Sequence, residues 1–279
     1  MLGGTNYNQL LFTIVMTLIT WGGGAAFIYP NLPEEIRIVK GSIYPLIAVA
    51  GAVFILTFVF LFLTTFTDPG IIPRRLPSDL ILSMPIEMKE RLSYCTTCNV
   101  IKPARAKHCR QIDCCVLAFD HHCPWTGNSV GARNYKFFVG FIFLIAVSSG
   151  VFAGLSVLIL KESIVDQSLV GEIVGPVFVL WNFVVFGLVG CLFGFHILLM
   201  SKGMTTNEWL RSEPGIYFGE NVSRNCTLLR SCWYLWCNEK PASLLLPMHL
   251  PPSMIDQELD VESAGFAVDF LKGEIGAIG

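Results

Sequence analysis

The chain has 279 residues, 53% of them hydrophobic and only 14% charged, with a mean hydropathy of +0.59. That composition excludes an ordinary soluble domain, in which about a quarter of residues are charged. A formal net charge of −2 argues against nucleic acid as the main partner, because the chain carries no overall cationic excess to neutralise phosphates.

In chain order, four windows lack Asp, Glu, Lys and Arg: 1–33, 41–67, 137–160 and 173–201. Each exceeds the ~20 helical residues that cross ~30 Å of hydrocarbon. The expected architecture is an α-helical integral membrane protein with spans near 10–29, 44–66, 137–160 and 174–200. His196, inside the last span, reads as a neutral residue satisfied near an interface. Residues 22–26 are small enough for signal cleavage, but no basic stretch precedes the first window, so a retained span is the simpler reading.

Lys and Arg set the orientation. Residues 67–136 carry ten of them, whereas the loop 30–43 has Arg37 and Lys40 and the loop 161–172 has Lys161. The expected division is therefore spans 1 and 2 in 1–66, a cytosolic loop in 67–136, spans 3 and 4 in 137–200 and a cytosolic tail in 201–279. Both termini are then cytosolic.

Six of the ten cysteines (95, 98, 109, 114, 115 and 123) lie in that loop. Cytosolic thiols stay reduced, so metal binding or catalysis outranks disulfides. Residues 91–136 have few large apolar side chains and no sustained periodicity, and cannot fold on burial alone. A structural zinc supplies on the order of 10–16 kcal/mol of apparent binding energy, enough to order such a module. The run Cys95-Thr-Thr-Cys98, His108-Cys109, Cys114-Cys115, His121-His122-Cys123 offers the soft tetrahedral donors that zinc prefers.

These residues, with KPARAKHC (102–109), CVLAFDHHCPWTGN (115–128), VGARNYKFF (130–138), DPG (68–70) and TTNE (205–208), resemble the DHHC-type protein S-acyltransferases. The resemblance covers about two thirds of the chain and implies a cysteine-rich zinc domain between spans 2 and 3. It implies one zinc on Cys95, Cys98, His108 and Cys115. For a second zinc it implies the positions of Cys109, Ile112, His122 and Ser129, two of which carry no usual ligand, so one zinc is expected. A rival arrangement draws Cys114 toward Cys109 and His122.

The same resemblance implies Cys123 as nucleophile, His121 as its base and Asp120 as the carboxylate that orients and charges the imidazole. The reaction it implies is transfer of a long-chain acyl group such as palmitoyl from acyl-CoA through an acyl-enzyme to substrate proteins with membrane-proximal cysteines. Pro124 and Trp125 are expected to turn Cys123 toward the membrane. Lys102 and Arg105 are candidates to meet CoA phosphates, with a solvated basic face as the plain alternative. Asp68 and Thr206 are expected beside the catalytic module, Thr206 near Asp120. Gly140, Ser148, Ser149, Gly150 and Gly154 offer either room for an acyl chain or ordinary helix packing.

In the tail, Tyr217, Gly219 and Asn225 are the nearest candidates for a docking motif. The aromatic stretch 226–237 looks interfacial, and its cysteines 226, 232 and 237 are candidates for acylation. The expected location is an endomembrane (Golgi or ER) or the plasma membrane, with the bilayer itself as a partner. The competing class is a non-catalytic zinc-binding membrane adaptor, suggested by the two missing ligands.

Overall fold

In a computed structural model the described residues are 7–28, 40–74, 93–103, 105–165, 173, 175–211 and 237. All belong to one compact unit, Met1–Ala242; a second unit, Ser243–Gly279, lies outside the described residues, as do Tyr217, Gly219, Asn225, Cys226 and Cys232.

The long apolar runs become helices: α1 (Tyr7–Ile28), α2 (Lys40–Phe66), α3 (Tyr135–Val165) and α4 (Gly175–Lys202), followed by a short α5 (Thr206–Arg211). Their bounds depart from the expected spans by a few residues, all at helix ends, where boundaries scatter. Among the described residues three stretches are long and apolar enough to cross a membrane: Ala48–Phe66, Tyr135–Val157 and Gly175–Lys202. The remaining long helix, α1, starts on the polar Tyr7-Asn8-Gln9 and touches α3 and α4. Its Thr13, Thr17 and Thr20 hydroxyls donate to the carbonyls four residues back, which satisfies them inside an apolar surface.

Outward faces are apolar: Ile55, Phe62, Val151 and Leu188 are all exposed. A soluble bundle would reverse that pattern, whereas hydrocarbon accepts it. Inside, α3 packs against α2 and α4. A side chain at Gly140 would meet the Phe60 ring at 3.0 Å, and one at Gly150 would meet Phe186 at 3.0 Å. Those two glycines therefore serve helix packing.

Each helix end near the loop module is closed by a local device. After α2, Asp68 Oδ1 accepts from the Gly70 and Ile71 amides at 2.9 and 2.8 Å, and Gly70 takes φ 107, which suits glycine. The chain then runs into β1 (Ile71–Ile72). After α4, Gly203 (φ 61) donates to Met200 O and Met204 donates to Leu199 O, a Schellman closure. Thr205 and Glu208 then form a reciprocal capping box that starts α5.

Between α2 and α3 the chain makes short strands: β2 (Tyr94–Cys95), β3 (Val100–Ile101), β4 (Lys107–Cys109), β5 (Cys114–Val116), β6 (His121–Cys123) and β7 (Asn128–Val130). They pair antiparallel as β2-β3, β1-β5-β4 and β6-β7. The module is bolted to the end of α2. Asn128 Nδ2 donates to the carbonyls of Thr64, Thr65 and Thr67, and Asn134 Nδ2 donates to Thr64 O at 3.0 Å. Thr65 Oγ1 donates back to Thr126 O at 2.8 Å. These bonds satisfy terminal carbonyls that a helix leaves open.

Candidate functional site

Strand geometry divides the Cys and His residues, because successive side chains point to opposite faces. On the β4–β5 hairpin, His108 lies opposite Cys115 on one face, and Cys109 lies opposite Cys114 on the other. On β6, His121 and Cys123 share a face while His122 points away, toward its partner Ser129.

The first face meets the β2–β3 hairpin, whose turn after Cys98 is completed by Asn99 at φ 54. There the Sγ atoms of Cys95, Cys98 and Cys115 surround His108 Nδ1 at 3.6, 3.4 and 4.0 Å. A tetrahedral centre with ligands at ~2.0–2.3 Å requires edges of roughly 3.6–3.8 Å. The group can therefore hold a metal ion. Burial, then the neighbouring thiols, pushes the Cys115 thiol up, so thiolates gathered here need a cation among them. His108 Nε2 faces Asp113 Oδ1 at 3.5 Å, and Asp113 pairs in turn with Arg74. A carboxylate behind a ligating imidazole orients the ring. Neither Asp113 nor Arg74 was among the expected site residues.

The second cluster surrounds Cys123, which is 5% exposed among Leu10, Leu61, Phe138, Val139, Ile142 and Met200. His121 Nδ1–H donates to Asp120 Oδ2 at 2.6 Å, and Cys123 lies on the same face of β6 as His121. Asp120 is 1% exposed and accepts from the Thr206 amide and hydroxyl, both at 2.8 Å. Burial opposes the charge on all three groups, but their interactions prevail. Hydrogen bonds to Asp120 and Cys123 raise His121 to about 10, and Asp120 is held below its usual value chiefly by His121. The Cys123 thiol is likewise held below its usual value by the hydrogen bond to His121 and by its charge. The arrangement favours a thiolate beside an imidazolium.

Trp125 is 55% exposed, and its carbonyl accepts from Thr13 Oγ1 at 2.7 Å, which brings α1 to the site. His196 is 1% exposed, 3.1 Å from Tyr135 Oη through Nδ1, and its ring lies 6.0 Å from that of His121. Burying His196 beside Asp120 and His121 was not readable from its isolation in an apolar run.

Asp68 reaches Arg133 at 3.3 Å and so ties the end of α2 to the segment entering α3. Arg105 departs from its expected phosphate role. Its Nε and Nη2 bind Glu208 Oε1 and Oε2 at 2.6 and 2.7 Å, and its side chain is only 9% exposed. The reason is the α5 cap: Glu208 presents a fixed, buried carboxylate whose fork fits a guanidinium. Lys102 stays half-buried at the other end of that segment. Among the described residues, the exposed basic side chains beside Asp120 and His121 are Arg110 and Arg211, which line an open cleft of about 470 Å³ with Asp120, His121, His122 and Thr206. Cys109, His122 and Cys114 do not converge as a ligand group among the described residues.

The DHHC palmitoyltransferase family model matches residues 88–213. Palmitoyltransferase ZDHHC18-B of Danio rerio is 30% identical over 97% of this chain and 76% of its own length. Palmitoyltransferase ZDHHC9 of Bos taurus is 32% identical over 86% of this chain and 77% of its own. Palmitoyltransferase ZDHHC14 of Homo sapiens is 37% identical over 70% of this chain and 45% of its own. With the paired Asp120 and His121 beside a buried thiol, and a Cys/His quartet next to them, this chain belongs to the DHHC palmitoyltransferase family.

Proposed function

We propose that the chain is a protein S-palmitoyltransferase with four membrane spans, α1 being the fourth, and a cytosolic catalytic module. The observation that carries this reading is the chain of bonds from Thr206 through Asp120 to His121, on the same strand face as the buried Cys123 thiol at the apolar end of the bundle.

In the first half-reaction the Cys123 thiolate attacks the thioester carbonyl of a long-chain acyl-CoA. The C–S bond to CoA breaks, and the leaving CoA thiolate takes the proton held by His121. In the second, His121 accepts a proton from a substrate cysteine, whose sulfur attacks the acyl-enzyme and releases Cys123. One thioester is exchanged for another, so no oxidant or energy source is required. The apolar residues around Cys123 favour a fatty chain, each buried methylene contributing about 0.8 kcal/mol. Arg110 and Arg211 are suited to the CoA phosphates. Zinc, held by Cys95, Cys98, His108 and Cys115, would act as a structural tie between the two hairpins. Acceptors are membrane-associated proteins with cytosolic cysteines near the bilayer, in an endomembrane or the plasma membrane.

Purified full-length protein incubated with labelled palmitoyl-CoA should carry a hydroxylamine-sensitive label on Cys123, absent in Cys123→Ser. A folded wild type that holds zinc but takes no label would favour the adaptor reading instead.

A further inference from the structure

The face of β4 opposite the metal-holding quartet carries a different assembly. Ser129, fully buried, places Oγ 3.2 Å from Cys109 Sγ and 3.1 Å from His122 Nδ1, and Cys109 Sγ lies 3.2 Å from Gln111 Oε1. Proton counting fixes the direction of this chain. The amide oxygen of Gln111 only accepts, so the single Cys109 proton is directed there. Ser129 then donates to Cys109, and His122 Nδ1–H donates to Ser129. Every link has one donor and one acceptor, an aligned series in which each bond polarises the next.

A second zinc does not fit this position. Zinc needs about four N, S or O donors converging on one point. Here Ile112, at the sequence position the resemblance gives to a further ligand, is 8% exposed and packs in a cluster with Ile71, Cys109 and Val116, and the Ser129 hydroxyl lies within hydrogen-bond distance of both thiol and imidazole.

We propose that Cys109, Ser129 and His122 form a metal-free hydrogen-bonded clasp joining β4 to the β6–β7 hairpin, and that Ile112 and Ser129 are what keep a second zinc out. The clasp supports the back of β6, whose front carries His121 and Cys123. Its strand partner Ser129 is held in place by Asn134 Nδ2, which donates to the Ser129 carbonyl at 2.8 Å, and by Asn128 Oδ1, which accepts from the Ser129 amide at 2.8 Å. The catalytic strand is thereby braced on this side by neutral groups and needs no metal there.

The test is the zinc content per chain of the detergent-purified full-length protein, measured by elemental mass spectrometry with protein quantified in parallel. Wild type should hold no more than one zinc. Ser129→Ala should melt at a lower temperature with its zinc content unchanged, and Ile112→Cys/Ser129→Cys should gain one zinc over wild type. Two zinc ions in wild type, or loss of one zinc in Ser129→Ala, overturns the clasp. A cooperatively folding double-cysteine variant that gains no zinc overturns the role given to Ile112 and Ser129. Because this reading concerns only the Cys109 face, its failure leaves labelling of Cys123 untouched.

Discussion

Two groups of Cys and His lie side by side in this module, and what surrounds the imidazole separates them. In one, His108 Nδ1 faces three sulfurs at 3.4–4.0 Å, and no carboxylate enters the ring of ligands. In the other, His121 Nδ1 is occupied by Asp120 at 2.6 Å, and one thiol, Cys123, shares its face of the strand. Soft donors converging from two hairpins make a metal position; a buried carboxylate behind the ring makes a charged imidazole that keeps a thiol ionised. Both imidazoles have an aspartate beside them; the number of sulfurs around the ring is what differs.

The comparison breaks most sharply at Asp120. Asp120→Asn should lower the rate of acyl-enzyme formation by roughly 10²–10⁴-fold, measured in single turnovers, while zinc content stays that of wild type. The same change should alter pH dependence. The Cys123 pKa lies below the ordinary thiol value, so its thiolate is present below that value and is lost only as pH falls through the depressed pKa. Alkylation of Cys123 should therefore persist to lower pH in wild type than that of an ordinary thiol, and in Asp120→Asn its onset should move to higher pH. An unshifted profile would remove the carboxylate from the activation of Cys123.

The complementary change, Cys98→Ser, should empty the quartet of zinc and lower the melting temperature of the module, with loss of activity following from unfolding. Retention of zinc at full stoichiometry would separate Cys98 from the metal position that its 3.4 Å approach to His108 suggests. A smaller effect is expected at the joint between the two regions. Arg105→Ala leaves the buried Glu208 carboxylate without its guanidinium, which for buried pairs costs about 3–5 kcal/mol. Thermal stability should fall, and the loss should reach Thr206 and Asp120 through the start of α5. If Arg105→Ala instead raised KM for acyl-CoA with unchanged melting, the phosphate role would return.

The site was partly legible along the chain because its ligands are local. Cys95, Cys98, His108 and Cys115 fall within a span of 21 residues, and Asp120, His121 and Cys123 within four, so spacing alone restricts their chemistry. Arg105 was not legible in the same way: its partner Glu208 is 103 positions away and belongs to a cap that forms only once α5 starts. Tyr135 and His196, 61 positions apart, meet only because α3 and α4 pack together. Asn128 and Asn134 carry no pattern that announces their work on the α2 carbonyls.

Composition by itself determined an apolar helical bundle, and the order of cysteines and histidines determined the chemistry available between its helices. The tertiary structure decided which residue faces which. Period-two alternation on β4 and β6 sends His108 and Cys109, and His121 and His122, to opposite sides, but only the pairing of strands and the docking of α5 reveal what waits there. Local donor type is written in the residue, whereas its partner is set by long-range packing, which a linear chain does not display.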